Sequence, residues 1–233
     1  MFQATRHRVL AGVVLGTALS VLGGCSSTSK SSKAQVDESW LARVPEEQLG
    51  GVRDAQAERT RAQDAVTRAD VAVKDAEREV TVAKQQSEAA KHSMEASKSA
   101  VEAAQATGRK PGIDEANSGL KHRETQYSAA QAEVQWRERA IETRKAEKQL
   151  RERELDLANA RLRQAEMRTM KDSDDVRAKD LSESEFLAAV ADAQRQTEEA
   201  QRAVDTRARE ERDAHARFEK LRGYGGSGDS SND

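Results

Sequence analysis

The residues with chemical potential are few and scattered. Cys25 is the only cysteine, and it follows Leu22-Gly23-Gly24 at the end of an apolar run. A lone cysteine excludes an intrachain disulfide and leaves one thiol, either free or modified. His92, His122 and His215 lie far apart in sequence without metal-ligand spacing, so no metal site is expected. Arg123, Arg137, Arg144 and Arg151 sit at positions where a helix seam should be apolar. Such a row could hold an anion, a glycan or a nucleic acid along one face. The reading preferred here is structural: the arginine stems cover alanines while the guanidinium groups reach Glu124, Glu138, Glu147, Glu152 and Glu154 nearby. No Gly-rich phosphate loop, nucleophile elbow or Cys/His pairing is present, so neither an enzyme nor a cofactor is expected.

Composition points the same way. Of 233 residues, 34% are charged and 3% aromatic, with 39 Lys+Arg against 41 Asp+Glu. Hydrophobic residues reach 36%, but 39 of them are alanines, which leaves few large side chains for a thick core. With two prolines, this is the composition of long helices. A packed alanine rod has no room for a small-molecule pocket of ~300–1,000 Å³, so no small-molecule substrate is expected. The formal charge of −2 argues against nucleic acid.

The first eight residues carry Arg6 and Arg8 and no acid, and 9–22 are apolar. That run is shorter than the ~20 residues a membrane-spanning helix needs, and it reads as a secretory signal peptide. Leu22-Gly23-Gly24-Cys25 resembles the lipobox of bacterial lipoproteins: an aliphatic residue, two small ones, then the invariant cysteine. The resemblance implies diacylglycerol transfer to the Cys25 thiol, cleavage before it, and acylation of the new amine, for instance by palmitate. Ser26 in the next position, where the family's sorting signal would have Asp, implies an outer-membrane address. Several acyl chains anchor firmly where one holds only weakly. Residues 26–35 (SSTSKSSKAQ) read as a flexible tether and 223–233 as a disordered tail.

Between them the fold expected is all-α: an elongated antiparallel coiled-coil hairpin plus a shorter third helix. The expected divisions are a signal peptide at 1–24, lipidated Cys25 and tether to 44, a long helix at 45–107, and a turn at 108–113. A second helix follows at 114–170, a linker at 171–181, a third helix at 182–222 and the tail at 223–233. Pro45 is read as opening the first helix. Its seam repeats strictly by seven, from Val52 and Ala55 to Val101 and Ala104. The second helix repeats Ile113, Leu120, Tyr127, Val134, Ile141, Lys148, Leu155 and Leu162. A short turn makes the two antiparallel neighbours. Pairing small with large residues sets Ala104 against Leu120, Ser97 against Tyr127, Ala90 against Val134, Ala83 against Ile141, Ala69 against Leu155 and Ala62 against Leu162. On that register His92 and His122 are more than two turns apart. Ser182-Glu183-Ser184-Glu185 is a capping box, with Leu181 and Phe186 as its hydrophobic staple. Tyr127 is expected in the core and Trp136 off the seam, where it could mark a contact face.

The function expected is a lipid-anchored coiled-coil protein of the bacterial envelope, facing the periplasm or the surface. It would space, brace or recruit other envelope components, with protein partners and possible self-association. A lipobox with a long heptad helix is similar to the major murein lipoprotein, whose terminal Lys is joined to peptidoglycan. Here the chain ends Ser231-Asn232-Asp233, so that link is not expected. The alternative is an accessory subunit of an export or trafficking complex, docking through Arg109, Lys110 and Ile113 at the hairpin tip. The run at 158–166 (ANARLRQAE) resembles the long hairpins of periplasmic adaptor proteins.

Overall fold

The computed structural model describes residues 36–226, and every described element is helical. A short helix α1 (Glu38–Leu41) and a 3-10 turn (Glu46–Gln48) precede α2 (Gly50–Thr107). After it come α3 (Lys110–Asp172), a 3-10 turn (Val176–Asp180) and α4 (Glu183–Gly226). The 58 residues of α2 and 63 of α3 make rods of ~87 and ~95 Å at 1.5 Å per residue. The all-α hairpin with a shorter third helix is therefore the fold of the described residues.

The turn between α2 and α3 is much tighter than the sequence suggested. Gly108 ends α2 in the left-handed conformation (φ 68°), which glycine adopts without penalty, and α3 begins at Lys110. Pro111 does not break structure: it stands in the first turn of α3, where its missing N–H costs nothing. This shortening changes the register. Leu162 packs with Val52 and Ala55, one heptad from the Ala62 expected. Three ion pairs agree with the shift: Lys148 with Asp70 (2.7 Å), Arg161 with Glu58 (2.6 Å) and Arg137 with Glu79 (2.7 Å). Carried along the helices by heptads, the same offset sets Ala76 opposite Ile141 and Ala83 opposite Val134. Small still meets large in every layer, because a shift of seven returns each residue to the same seam position.

α3 is the central helix. It packs along α2 on one flank and α4 on the other, whereas α2 and α4 share little or no packing. Its second seam runs Trp136, Thr143, Leu150, Leu157 by steps of seven, and the last three are buried. Trp136 meets Phe218, and the Thr197 hydroxyl donates to the Arg153 carbonyl, which fixes α4 antiparallel to α3. α4 ends at Gly226, eight residues beyond Phe218, so its cover on α3 stops near residue 128. Beyond that point lies a bare two-helix arm of about seventeen residues per helix, ~25 Å long.

Among the described residues, the globular core lies at the other end. Phe186, Met167 and Met170 are the largest fully buried side chains, and Val36, Val44 and Ala178 are buried with them. Trp40, Leu41, Leu49 and Leu181 pack against this cluster. Four expectations are corrected here. Residues 36–44 are not a tether: Asp37 caps α1 through the Ser39 N–H, and Val36 and Val44 are sealed in the core. Residues 171–181 are not a plain polar linker either. Asp174 takes the left-handed conformation (φ 52°), with Asp175 N–H donating to Met170 and Asp174 N–H to Lys171, which closes α3 with a Schellman motif. Pro45 opens the 3-10 turn, so α2 starts five residues later than expected. Leu181 and Phe186 do share one cluster, while the Ser182 hydroxyl bonds the Ser184 hydroxyl. Finally, α4 runs to Gly226, through the start of the segment read as a tail.

Candidate functional site

Cys25 and the preceding Leu22, Gly23 and Gly24 lie outside the described residues. The features to weigh are therefore the polar seam, the aromatic cluster, the open face and the tip.

The seam arginines are held by local partners. Arg144 makes two bonds to Glu147 (2.8 and 2.9 Å), and Arg151 makes two to Glu154 (2.7 and 2.9 Å). Arg144 is pushed above the ordinary guanidinium range, chiefly by its hydrogen bonds to Glu147. Arg123 donates to Gln126 rather than reaching Glu124. Arg137 crosses to Glu79 on α2 and also meets Glu133, in place of Glu138. Three of the four charges are thus matched by a carboxylate within hydrogen-bond reach and Arg123 is held by a neutral amide, which leaves no row of uncompensated cations for an anionic polymer. Lys148, which interrupts the seam, is answered by Asp70, itself also bound by Lys74 at 2.6 Å. Those two ammonium groups, Lys148 first, pull the Asp70 carboxyl down to about 2. At the base the Arg177 guanidinium grips Asp175 and holds it likewise to about 2, while stacking over Trp40 at 5.2 Å.

Trp136 is not a free contact face. It lies 5.5 Å from Phe218 in a stacked arrangement and 4.4 Å from His215, with the Arg137 guanidinium 3.9 Å over its ring. This cluster fastens the C-terminal half of α4 to α3, as Phe186 fastens its start. Tyr127 is half-buried on the seam, and its hydroxyl accepts from Gln131. His92 contacts Glu95, His122 contacts Gln126 and His215 contacts Glu219. No group of three potential metal ligands occurs among the described residues.

The described residues do contain open space, contrary to the expectation for an alanine-packed rod. Because α2 and α4 stand apart, a groove of about 740 Å³ runs between them over α3. Val80, Ile141 and Ala214 give it apolar patches, and its rims carry the ion pairs Lys84–Glu138 and Arg139–Glu210. A smaller depression between Tyr127 and Lys91 continues it toward the tip. At the tip Arg109 and Lys110 are exposed and Ile113 is half-buried.

No described helix is long and apolar enough to cross a membrane. No family model, curated protein or solved structure matches the chain.

Proposed function

We propose that the chain is a lipid-anchored coiled-coil protein of the bacterial envelope that acts as a spacer or scaffold for other envelope components. The observation that supports it most is the polarity of the described unit. Its only compact core lies at the end where the chain enters, and a bare two-helix arm extends from the other. Cys25 precedes Val36 by eleven residues, a span of at most ~40 Å even when fully extended. A lipid on Cys25 would therefore hold the base close to a membrane, while the tip of the arm, ~85 Å from the base along α2, would reach partners the membrane itself does not. On this reading the matched charges on the helix faces keep the rod soluble and straight, and the chain performs no chemistry of its own.

The anchor is tested by growing the bacterial host with radiolabelled palmitate. Label should enter the chain and be lost in Cys25→Ser, along with sedimentation in the membrane fraction. Label that persists in the variant would reject the lipid reading. The second reading, an adaptor subunit docking through the tip, draws support from the exposure of Arg109 and Lys110 on an arm that no third helix covers. Replacing Arg109, Lys110 and Ile113 together separates the two, because an adaptor loses its partner and a spacer is unaffected.

A further inference from the structure

We propose that α2 pairs antiparallel with α2 of a second copy of this chain, through the face that carries Val71, Asp75, Arg78 and Val82. Val71 and Val82 are each half exposed (51% and 50%), unlike the seam valines Val52, Val80 and Val101 on the same helix. Eleven residues apart, they fall on one face at a spacing of ~16 Å. Between them stand Asp75 and Arg78, which bond each other at 2.8 Å and point into solvent. The order apolar, acid, base, apolar is its own complement when reversed. A two-fold axis perpendicular to α2, placed between Asp75 and Arg78, sets Val71 against Val82 of the second copy. The same axis sets Asp75 against Arg78 and Arg78 against Asp75. An interface in which residue i meets j and j meets i is what a two-fold dimer requires.

Several flanking pairs fit the same operation. Lys74 falls opposite Glu79, Thr67 opposite Gln86 and Thr60 opposite Ser93. Lys74 and Glu79 remain more than half exposed after their contacts with Asp70 and Arg137. A parallel pairing of the same face would stack Asp75 on Asp75 and Arg78 on Arg78. Charge therefore selects the antiparallel arrangement, and it selects this chain as the occupant. In that dimer the two Gly50 residues lie ~80 Å apart, so the two bases face opposite ways. The pairing deepens the spacer reading but needs no lipid, so palmitate labelling and dimer formation succeed or fail separately.

The test is oxidative cross-linking of the full chain, with wild type as the control for Cys25. Val71→Cys/Val82→Cys should form a disulfide-linked dimer, while each single variant stays at the wild-type level. The two cysteines of one chain are too far apart to close on each other. No dimer from the double variant overturns the proposal, and so does equal cross-linking by the single variants. In the double-cysteine chain, Arg78→Asp should cut the dimer yield several-fold, and adding Asp75→Arg should restore it. Failure to restore overturns the charge register. Unchanged helicity by circular dichroism checks that each variant is folded.

Discussion

Phe186 offers the sharpest test of the base core. Its side chain is 1% exposed and touches a cluster drawn from four stretches of the chain: the entry segment, the end of α3, the 3-10 turn after it and the start of α4. Truncating a buried phenylalanine to alanine costs about 3–5 kcal/mol, the spread reflecting how far the surroundings collapse into the cavity. Its fully buried neighbours are Met167 and Met170, unbranched side chains that fill gaps readily, so the lower end, about 3 kcal/mol, is expected. The chain has two tryptophans, and they report on different places: Trp40 on the base core, Trp136 on the α3–α4 contact. In a Trp136→Phe background, urea unfolding followed by Trp40 fluorescence should show the Phe186→Ala midpoint lowered by ~1–2 M, taking an m-value of roughly 2–3 kcal/mol/M. Leu187→Ala is the control, since that side chain is 45% exposed and its loss should move stability by less than about 0.5 kcal/mol. If the two variants unfold at the same urea concentration, the base is not a cooperative core and the reasoning is wrong.

Four further outcomes follow from the same coordinates. In a Cys25→Ser chain, Ala83→Cys should cross-link to Val134→Cys and not to Ile141→Cys, and the reverse result would restore the longer turn. Asp70 and Asp175 are both held at about 2, below the ordinary 3.8, so the stability they lend is complete above pH ~4 and is lost as pH falls toward 2. Asp70→Asn/Asp175→Asn should flatten the fall in thermal midpoint between pH 4 and 2, and an unchanged slope would dismiss those contacts. Trp136→Ala should cost about 1–3 kcal/mol, because that ring is only half-buried, and should speed amide exchange in α4 from about residue 204 onward while leaving its start protected. Gly108→Ala meets no atom within 4 Å but must hold φ near 68°, so it should lower stability by about 1 kcal/mol through backbone strain alone, measured by chemical denaturation.

The helices and their antiparallel order were legible because the sevenfold repeat of α2 and α3 is long and nearly unbroken. The register was not, since a heptad pattern looks the same after a shift of seven and only the turn fixes the choice. Pro111 and Gly112 read as breakers, yet both sit inside the first turn of α3. The second seam of α3 was visible as spacing in Trp136, Thr143, Leu150 and Leu157, but the stronger seam beside it drew the assignment. Arg144 and Arg151 took the carboxylates expected of them, whereas Arg137 found Glu79 across the helix pair, a contact that depends on the register. The base core had no periodic signature. Val36, Trp40 and Val44 lie in a stretch too short to show a repeat, and their partners stand more than 120 residues away in sequence.

The two-residue turn also has a consequence for the length of the molecule. Residues removed from α2 and α3 in matched sets of seven, within the bare arm on the tip side of about residue 128 of α3, would leave every remaining layer facing the partner it faces now, with the base core and the α4 contacts untouched. The reach of the arm is thus a quantised variable, adjustable in steps of ~10 Å without redesigning any interface. A deletion from one helix alone would instead slide the two ladders past each other and separate Lys148 from Asp70. A length divisible into interchangeable segments is a property of the sequence pattern itself.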